Sequence, residues 1–280
     1  MSSSISLRKA IDLDYSKKSF ESNISLLITL SRKKCVVIVE GAFDKKIFTN
    51  FFRGIVYLIP CNGRGYVEKV INRIPKSIVS IIGIADRDYF FNESNDMRLF
   101  YCDYNNIEMM IFSNDDIFAN QISFSSTLTK SDLTKKRDDS IEKVFPLSIF
   151  RLTKSKLIDG DIIGVEDVMT SVLEFKDLDR NASVTKIINS INNCAKPSIN
   201  QSFKSVFVSN YNNELCIMHN CYDITQGHDF TEMFCELIAN NEYDIRMAAE
   251  KEFKYNLFKK TALYKDIKKY ETIQTMCFLI

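Results

Sequence analysis

Cys35-Val-Val-Ile-Val-Glu-Gly-Ala-Phe-Asp44 joins a run of β-branched apolar residues to an acid and a glycine. An apolar run of this length is typical of a buried strand in a parallel sheet. Between Phe43 and Phe52 the apolar residues then recur at helical spacing. The stretch therefore predicts a strand, a turn that carries Glu40, and a helix.

The same alternation of strand and helix continues along the chain. A second strand is predicted over 55–60, a helix over 66–74, and a third, buried strand over 78–85. A fourth strand is predicted over 99–102, followed by a helix that continues through Ile111. Short connections between alternating strands and helices favour a parallel sheet covered on both faces. We predict an α/β fold with a Rossmann-like parallel sheet and flanking helices.

Beyond Ser113 the sequence predicts a mostly helical elaboration of this core. Residues 1–114 are predicted to hold an N-terminal segment and the α/β core, and residues 115–200 a helical insert or a second domain. Residues 201–280 are predicted to form a strand and helices that pack back on the core. The elements predicted here and at the N-terminus are helices over 21–31, 165–173, 184–191, 230–240 and 243–258, a loop over 195–204, a strand over 205–208, and a polar connection or helix over 125–140.

Composition limits the classes of function. The 280 residues suffice for one large domain or two small ones. A formal net charge of +1 excludes a strongly basic surface, so nucleic-acid binding would require local basic patches or a metal ion. No apolar stretch approaches the ~18 residues of a membrane span, and nothing at the N-terminus resembles a signal peptide. The 8 Cys form no Cys-x-x-Cys pair, which favours reduced thiols in a cytoplasm.

Acidic residues follow two of the predicted strands at the point where each strand ends. Glu40 follows the first strand, Asp86 and Asp88 follow the third, and the loop 62–65 after the second strand is rich in glycine. The carboxyl ends of parallel strands meet at one edge of the sheet, where α/β proteins bind ligands. Residues i and i+2 of an extended segment point the same way, so Asp86 and Asp88 are expected to face one ion. Carboxylate oxygens suit Mg²⁺, and Glu40 is expected to reach the same ion or to act as a general acid or base.

The motif Val39-Glu-Gly-Ala-Phe-Asp44, followed by a strand that ends in Asp86-Arg-Asp88, resembles the TOPRIM domain. That fold serves topoisomerases, primases, recombination proteins and OLD-family nucleases. Further motifs make the chain similar to a TOPRIM family of uncharacterised function that includes AriB, the nuclease subunit of the PARIS anti-phage defence system. These motifs are Ile59-Pro-Cys-Asn-Gly-Arg-Gly65, Ile84-Ala-Asp-Arg-Asp-Tyr89, Tyr101-Cys-Asp-Tyr-Asn-Asn-Ile-Glu108 and Gln226-Gly-His-Asp229.

The resemblance implies roles for individual residues. Glu40, Asp86 and Asp88 match the catalytic and metal-binding positions of TOPRIM enzymes, with Mg²⁺ as the cofactor and Mn²⁺ as a substitute. Glu108, in the Asn-Ile-Glu motif, is implied as a further metal ligand or an orienting group. The chain shows no zinc ribbon, helicase motif or topoisomerase tyrosine domain, which leaves the nuclease branch of the fold.

The same resemblance implies a Mg²⁺-dependent endonuclease that acts as the toxic effector of an abortive-infection system in the bacterial cytoplasm. Its implied substrate is nucleic acid, with tRNA favoured, and its implied partner is an ABC-type ATPase that holds and releases it. A homodimer is implied as well, without membrane association. Two alternatives stay open: a catalytically silent regulatory subunit that binds the partner ATPase, and Mg²⁺-dependent phosphoryl transfer on nucleotides.

Several of these residues also have a structural interpretation. We expect three basic residues, Lys45, Arg64 and Arg87, to contact phosphate. Each also has a structural alternative: an exposed helix face for Lys45, a plain turn for Arg64 and an internal ion pair for Arg87. Asp44 suits the first turn of a helix, where an acid complements the helix dipole. Glu108 precedes two methionines and an isoleucine, so a buried acid that serves structure is an alternative to a metal ligand.

Two further patterns are assigned to structure and not to chemistry. Cys216, His219, Cys221 and His228 have a spacing that fits no common zinc ribbon or finger. The basic and aromatic residues over 251–269 are interleaved with acidic ones, which is typical of a solvated amphipathic helix. Neither pattern is predicted to bind a metal or a nucleic acid.

Overall fold

The computed structural model describes residues 17–89, 95–156, 176–178, 182–194, 201–212 and 221–280. These residues form two compact units. The sheet unit comprises the described residues up to 87, those from 95 to 103, and residues 253–280. The helical unit comprises residues 88 and 89 and the described residues from 104 to 252.

The described elements alternate between strand and helix in the first part of the chain and are helical in the second. In chain order they are α1 (Lys17–Ser31), β1 (Val36–Val39), α2 (Ala42–Thr49), β2 (Tyr57–Pro60), α3 (Arg64–Arg73), β3 (Ile81–Ala85), β4 (Leu99–Tyr101), α4 (Ile107–Phe112), two 3₁₀ helices (Asp115–Phe118 and Gln121–Ser123), α5 (Lys130–Lys156), α6 (Val184–Cys194), α7 (Gln201–Asn212), α8 (Cys221–Ile224), α9 (Gly227–Ile238), α10 (Glu242–Glu252), α11 (Tyr255–Phe258) and α12 (Ala262–Gln274).

All four strands of the sheet are parallel, in the order β2-β1-β3-β4. Strand β1 is buried along its whole length and pairs Val36 with Tyr57 of β2 and with Ile81 of β3. From β1 the chain moves to β2 on one side, and from β2 it crosses back to β3 on the other side. The order of strands therefore reverses between β1 and β3, which is where open α/β sheets bind their ligands at the carboxyl edge.

Helix α3 packs closely on the sheet at Gly83 of β3. A Cβ atom at this position would lie 2.7 Å from Ile71 and 2.8 Å from Val67, so glycine leaves room for both side chains. Because β3 ends at Ala85, this contact holds α3 beside the strand whose end carries Asp86.

A buried ion pair closes the C-terminal end of α3. Nη2 of Arg98 lies 2.8 Å from Oδ2 of Asp96, and the guanidinium also donates to the carbonyls of Ile71, Ile74 and Pro75. The last carbonyls of a helix lack intrahelical partners, so Arg98 satisfies groups that burial would otherwise leave unpaired. The hydrogen bond from Arg98 holds the pKa of Asp96 below its ordinary value.

The described part of the helical unit has its own apolar core, to which α5 contributes most of the residues. The same unit also holds a cluster of five aromatic rings, and its members are Phe112, Phe118, Phe124, Phe230 and Phe234. None of the described helices combines the length and the apolar character that crossing a bilayer would need.

The predicted α/β class is confirmed, with a parallel sheet, flanking helices and a helical part. The predicted strand over 205–208 is wrong, because these residues and the supposed loop residues 201–204 belong to helix α7. Phe207 and Tyr211, one helical turn apart, both pack on the helical core. Tertiary packing thus overrides the β propensity of the Val-Phe-Val run. The helix predicted over 165–173 lies outside the described residues.

The helix predicted over 243–258 is interrupted and forms α10 and α11. Phe253 lies between them, is buried, and places its ring centroid 5.5 Å from that of Phe51. Lys254 is extended, with φ −85° and ψ 166°. The chain passes from the helical unit to the sheet unit at this break. Contacts within the structure divide the chain near residues 103 and 252.

Candidate functional site

Glu40 and Asp86 directly follow β1 and β3, the two strands that flank the reversal of strand order. Oε1 of Glu40 accepts a hydrogen bond from the backbone amide of Asp86 at 2.7 Å. Both residues are half-buried. The carboxylate of one predicted site residue therefore orients the backbone of another, at the sheet edge where the sequence predicted them to meet.

Three carboxylates lie near one buried thiol. Cys102 directly follows β4 and is fully buried. Burial raises the pKa of the Cys102 thiol, and the negative charges of Asp86, Asp44 and Glu40 raise it further. Such a thiol stays protonated and is not a nucleophile. The charges of three acids from separate elements of the sheet unit thus act on one thiol.

Asp44 stabilises the start of α2. Its Oδ2 accepts the backbone amide of Gly41 at 3.1 Å, and the side chain is buried. The first amides of a helix have no intrahelical partner, and an acid there also complements the dipole. The structural interpretation of Asp44 is therefore observed, together with its place near Glu40 and Asp86.

The glycine-rich loop after β2 lies against the end of β1. The amide of Gly63 donates to the carbonyl of Glu40 at 3.1 Å. Asn62 and Gly63 have φ values of 33° and 97°, a left-handed turn that glycine adopts without strain. Arg64 follows as the first residue of α3. The turn therefore brings the start of α3 to the backbone of Glu40.

Two of the three predicted phosphate contacts make internal contacts within the sheet unit. Nε of Arg64 pairs with Glu68 at 2.6 Å, and Nη1 of Arg64 donates to the carbonyl of Arg87. Nε of Arg87 donates to the carbonyl of Cys102 at 3.0 Å. These bonds hold the backbone next to Asp86. Lys45 lies exposed on α2.

Asp88 begins a turn in which φ is 46° for Asp88 and 69° for Tyr89. Left-handed conformations are uncommon for residues other than glycine. The sequence analysis assumed extended backbone from Asp86 to Asp88, with both side chains pointing the same way. The backbone at Asp88 is left-handed, so this assumption is wrong there. Asp88 belongs to the helical unit, and its amide donates to the carbonyl of Asn105 at 3.1 Å.

Glu108, predicted as a further metal ligand or an orienting group, lies in the first turn of α4 in the helical unit. Its Oε1 is 3.4 Å from Nη2 of Arg246. A Cβ atom on Gly227 would lie 2.5 Å from Oε2 of Glu108, so α4 and the start of α9 approach closely. Burial raises the pKa of Glu108, and Arg246 opposes the shift. This carboxylate therefore has a pairing and packing role within its own unit.

The pair of Arg151 and Asp229 was missed by sequence reasoning. Asp229 is buried and accepts bonds from Nε and Nη2 of Arg151 at 2.6 and 2.8 Å. The sequence drew attention to its neighbour His228, which is exposed. Arg151 and Asp229 are 78 residues apart, so no local pattern relates them. Cys216 and His219 of the Cys/His cluster lie outside the described residues.

In the part of the chain that the structure describes, no group of three or more His, Cys, Asp or Glu side chains is arranged to hold a metal ion. The donor set of Glu40, Asp44 and Asp86 nevertheless has the chemistry of a Mg²⁺ site, since all its donors are carboxylate oxygens. Neighbouring carboxylates repel one another, and a divalent cation relieves that repulsion. The residues present therefore fit the predicted cation in ligand type and charge.

Comparison of the chain with profiles of known protein families finds no match, and a search of curated protein sequences finds none either.

Proposed function

We propose that this chain is a Mg²⁺-dependent endonuclease of the TOPRIM type. The observation that carries the proposal is the hydrogen bond between Glu40 and Asp86, which joins the carboxyl ends of the two strands that flank the reversal of strand order. Open α/β sheets bind ligands at this place. Asp44 adds a third carboxylate nearby. Oxygen ligands at this sheet edge suit phosphodiester chemistry, which needs a hard cation.

Each acid has a proposed role. Asp86 holds the cation at the sheet edge, with Asp44 nearby. The resemblance to TOPRIM enzymes assigns Asp88 to metal binding as well. Glu40 orients the Asp86 amide and either shares the cation or takes the proton from the attacking water or hydroxyl. Arg64 and Arg87 fix the backbone beside Asp86. When bound, the cation neutralises charge that develops on the phosphate during cleavage.

The proposed substrate is RNA, with tRNA favoured, and the proposed setting is anti-phage defence. The motifs around Glu40, Asp86 and Asn105, which resemble those of the AriB-containing family, support this part of the proposal. The proposed partner is an ABC-type ATPase that holds a homodimer of the chain until a trigger releases it. A net charge of +1 means that affinity for the polymer comes from the cation and local patches, not from the whole surface.

A second function, a catalytically silent subunit that binds the ATPase, is favoured by a different observation. The side chains of Glu40, Arg64 and Arg87 all bond to backbone groups of the sheet unit. Side chains that serve only structure would make the same bonds. Toxicity on expression separates the two functions, because a nuclease is toxic and Glu40→Ala relieves that toxicity, whereas a silent subunit is harmless with either residue.

Cleavage of a mixed pool of tRNA, single-stranded DNA and plasmid tests the proposal. Purified protein is incubated with Mg²⁺, with Mn²⁺ and with EDTA, beside the Asp86→Asn variant. We expect tRNA cleavage that needs the metal and is lost in the variant. Metal-independent cleavage, or undiminished cleavage by Asp86→Asn, would overturn the proposal. Hydrolysis of mononucleotides but of no polymer would favour the alternative phosphoryl-transfer activity.

A further inference from the structure

Residues 253–280 hold an excess of positive charge in a chain that is nearly neutral. They contain six lysines and two acids, whereas the formal net charge of all 280 residues is +1. The rest of the chain is therefore net negative. The whole segment belongs to the sheet unit. It is a local source of the attraction to a polyanion that the overall charge does not supply.

The structure separates the lysines of this segment from its acids. Glu271 is buried, and its Oε1 accepts the amides of Phe278 and Leu279 while its Oε2 pairs with Lys268 at 2.8 Å. The second acid, Asp266, is exposed, as are all six lysines. The alternation of acids and lysines, which predicted only a solvated helix, is thus not kept at the surface, where lysines dominate.

Helix α12 presents its lysines on the side opposite the core. Leu263, Ile267 and Tyr270 are buried at helical spacing and define the inner face of the helix. At about 3.6 residues per turn, Lys265 and Lys269 lie on the opposite side. Two more exposed lysines come just before α12. We call this surface the lysine strip, and its residues are Lys259, Lys260, Lys265, Lys268 and Lys269.

The start of α12 is fixed at the carboxyl edge of the sheet. Asp103, two residues beyond the end of β4, accepts the amides of Ala262 and Leu263 at 2.7 and 2.8 Å. All four strands are parallel, so the end of β4 lies at the same edge as the ends of β1 and β3. Further along α12, the hydroxyl of Tyr270 donates to the carbonyl of Val79, which precedes β3. The lysine strip therefore begins at the edge that carries the candidate site.

The candidate site also lies near the segment that holds α12. Asp103 directly follows Cys102, and the three carboxylates of the candidate site act on the Cys102 thiol. Carboxylates repel phosphate, so a polyanionic substrate needs attraction from nearby cationic side chains as well as from a metal ion. The lysine strip has the charge and the place to provide it.

We propose that the lysine strip binds the phosphate backbone of an RNA substrate and leads it to the candidate site. The proposal rests on the nuclease function inferred above and adds the surface that holds the polymer. Its place beside an edge suited to phosphate chemistry favours a polynucleotide over an acidic protein or a lipid surface. Lysine contacts phosphate as a point charge, so binding should depend little on sequence and fall steeply as salt rises.

Two variants with the same change of charge test the proposal. The strip variant carries Lys259→Gln, Lys265→Gln and Lys269→Gln. The control variant carries the same change at three exposed lysines elsewhere in the sheet unit, Lys33→Gln, Lys69→Gln and Lys76→Gln. An arginine variant, with Lys259→Arg, Lys265→Arg and Lys269→Arg, keeps the charge of the strip. All these side chains are exposed, so we expect wild-type melting temperatures.

The test measures anisotropy of labelled tRNA and of an unrelated single-stranded RNA with the full chain in EDTA, over a range of salt concentrations. Each phosphate contact contributes about 0.7–0.9 to the slope of log K against log salt. The strip variant should therefore lower the slope by about 2–3 and the affinity for both RNAs by about 10²-fold at ~0.1 M salt. The control and arginine variants should bind as the wild type does. Lys265→Gln alone should lower the slope by about 1, which keeps the test available if the strip variant does not fold.

Different results overturn different claims. A wild-type slope in the strip variant, an equal loss in the control variant, or no RNA binding by the wild type would overturn the role of the lysine strip. Strip-dependent binding to vesicles that contain phosphatidylserine, or to an acidic protein, without RNA binding would do the same. RNA binding that needs the strip, in a protein that cleaves no nucleic acid with Mg²⁺, would overturn the nuclease function and leave the binding surface standing. Cleavage of tRNA by the strip variant with an unchanged KM would leave the nuclease function and overturn the strip.

Discussion

Replacing Glu40 by glutamine or by alanine separates the two roles of this side chain. Oε1 of Glu40 accepts the Asp86 amide at 2.7 Å, and glutamine offers an acceptor oxygen at the same place. Glu40→Gln therefore keeps the bond that orients Asp86 and removes only the charge. Glu40→Ala removes both. Stability should report the bond, and cleavage should report the charge.

The expected magnitudes follow from the contacts of Glu40. A hydrogen bond to a charged group contributes about 1.5–3 kcal/mol, and the partial exposure of Glu40 places Glu40→Ala near the lower end of that range. Glu40→Gln exchanges a charged acceptor for a neutral one, at a cost of about 1 kcal/mol. Removing one of three neighbouring negative charges offsets part of the cost in both variants, and only Glu40→Ala leaves the Asp86 amide without this acceptor. Glu40→Gln is therefore expected to unfold close to the wild type.

Urea denaturation and RNA cleavage in Mg²⁺ measure the two effects. We expect both variants to lose cleavage by about 10²–10⁴-fold, the range of a general acid or base. Only Glu40→Ala should lose clear stability. Wild-type cleavage by Glu40→Gln would refute the proposed role of the charge. Equal destabilisation by the two variants would refute the role of Oε1 as an acceptor for Asp86.

Three further predictions concern packing and ionisation. Gly83→Ala is expected to cost about 1–3 kcal/mol in urea denaturation, because its Cβ would lie 2.7 Å from a side chain of α3. Gly65→Ala, where a Cβ meets nothing within 4 Å, is its control, and equal stability of the two variants would contradict the packing argument. Gly227→Ala should lower the free energy of unfolding by a similar amount, about 1–3 kcal/mol, because its Cβ would lie 2.5 Å from the carboxylate of Glu108. A wild-type melting temperature would count against that contact. The lowered pKa of Asp96 predicts a contribution to stability that is complete above the unfolded value of 3.8 and is lost as pH falls through the folded pKa. The stability difference between the wild type and Asp96→Asn should therefore shrink below pH 3.8, and a difference independent of pH would argue against the ion pair.

The ends of β1 and β3 were predictable because the signal is local. Each is a short buried apolar run followed at once by an acid, Glu40 or Asp86, and each needs only a few residues to be recognised. The alternation of strands with helices then places both ends at one edge of the sheet. Contact between the two acids follows from this topology, although the bond from the Asp86 amide does not.

Contacts between residues far apart in sequence could not be predicted. The left-handed turn at Asp88 depends on a buried partner, Asn105, which lies well beyond the turn in sequence. The spacing of Asp86 and Asp88 alone indicated extended backbone. Cys102 was not singled out because the predicted fourth strand, over 99–102, included it, whereas β4 ends at Tyr101.

Anomalous scattering from crystals soaked in Mn²⁺ tests the central claim most directly, because it locates the cation without relying on activity. We expect a Mn²⁺ peak at coordination distance from the Asp86 carboxylate, beyond the carboxyl ends of β1 and β3. Asp86→Asn crystals soaked in the same way should lack that peak. Peaks confined to other parts of the surface, with Glu40 and Asp86 well ordered and no Mn²⁺ beside them, would contradict the proposed metal site.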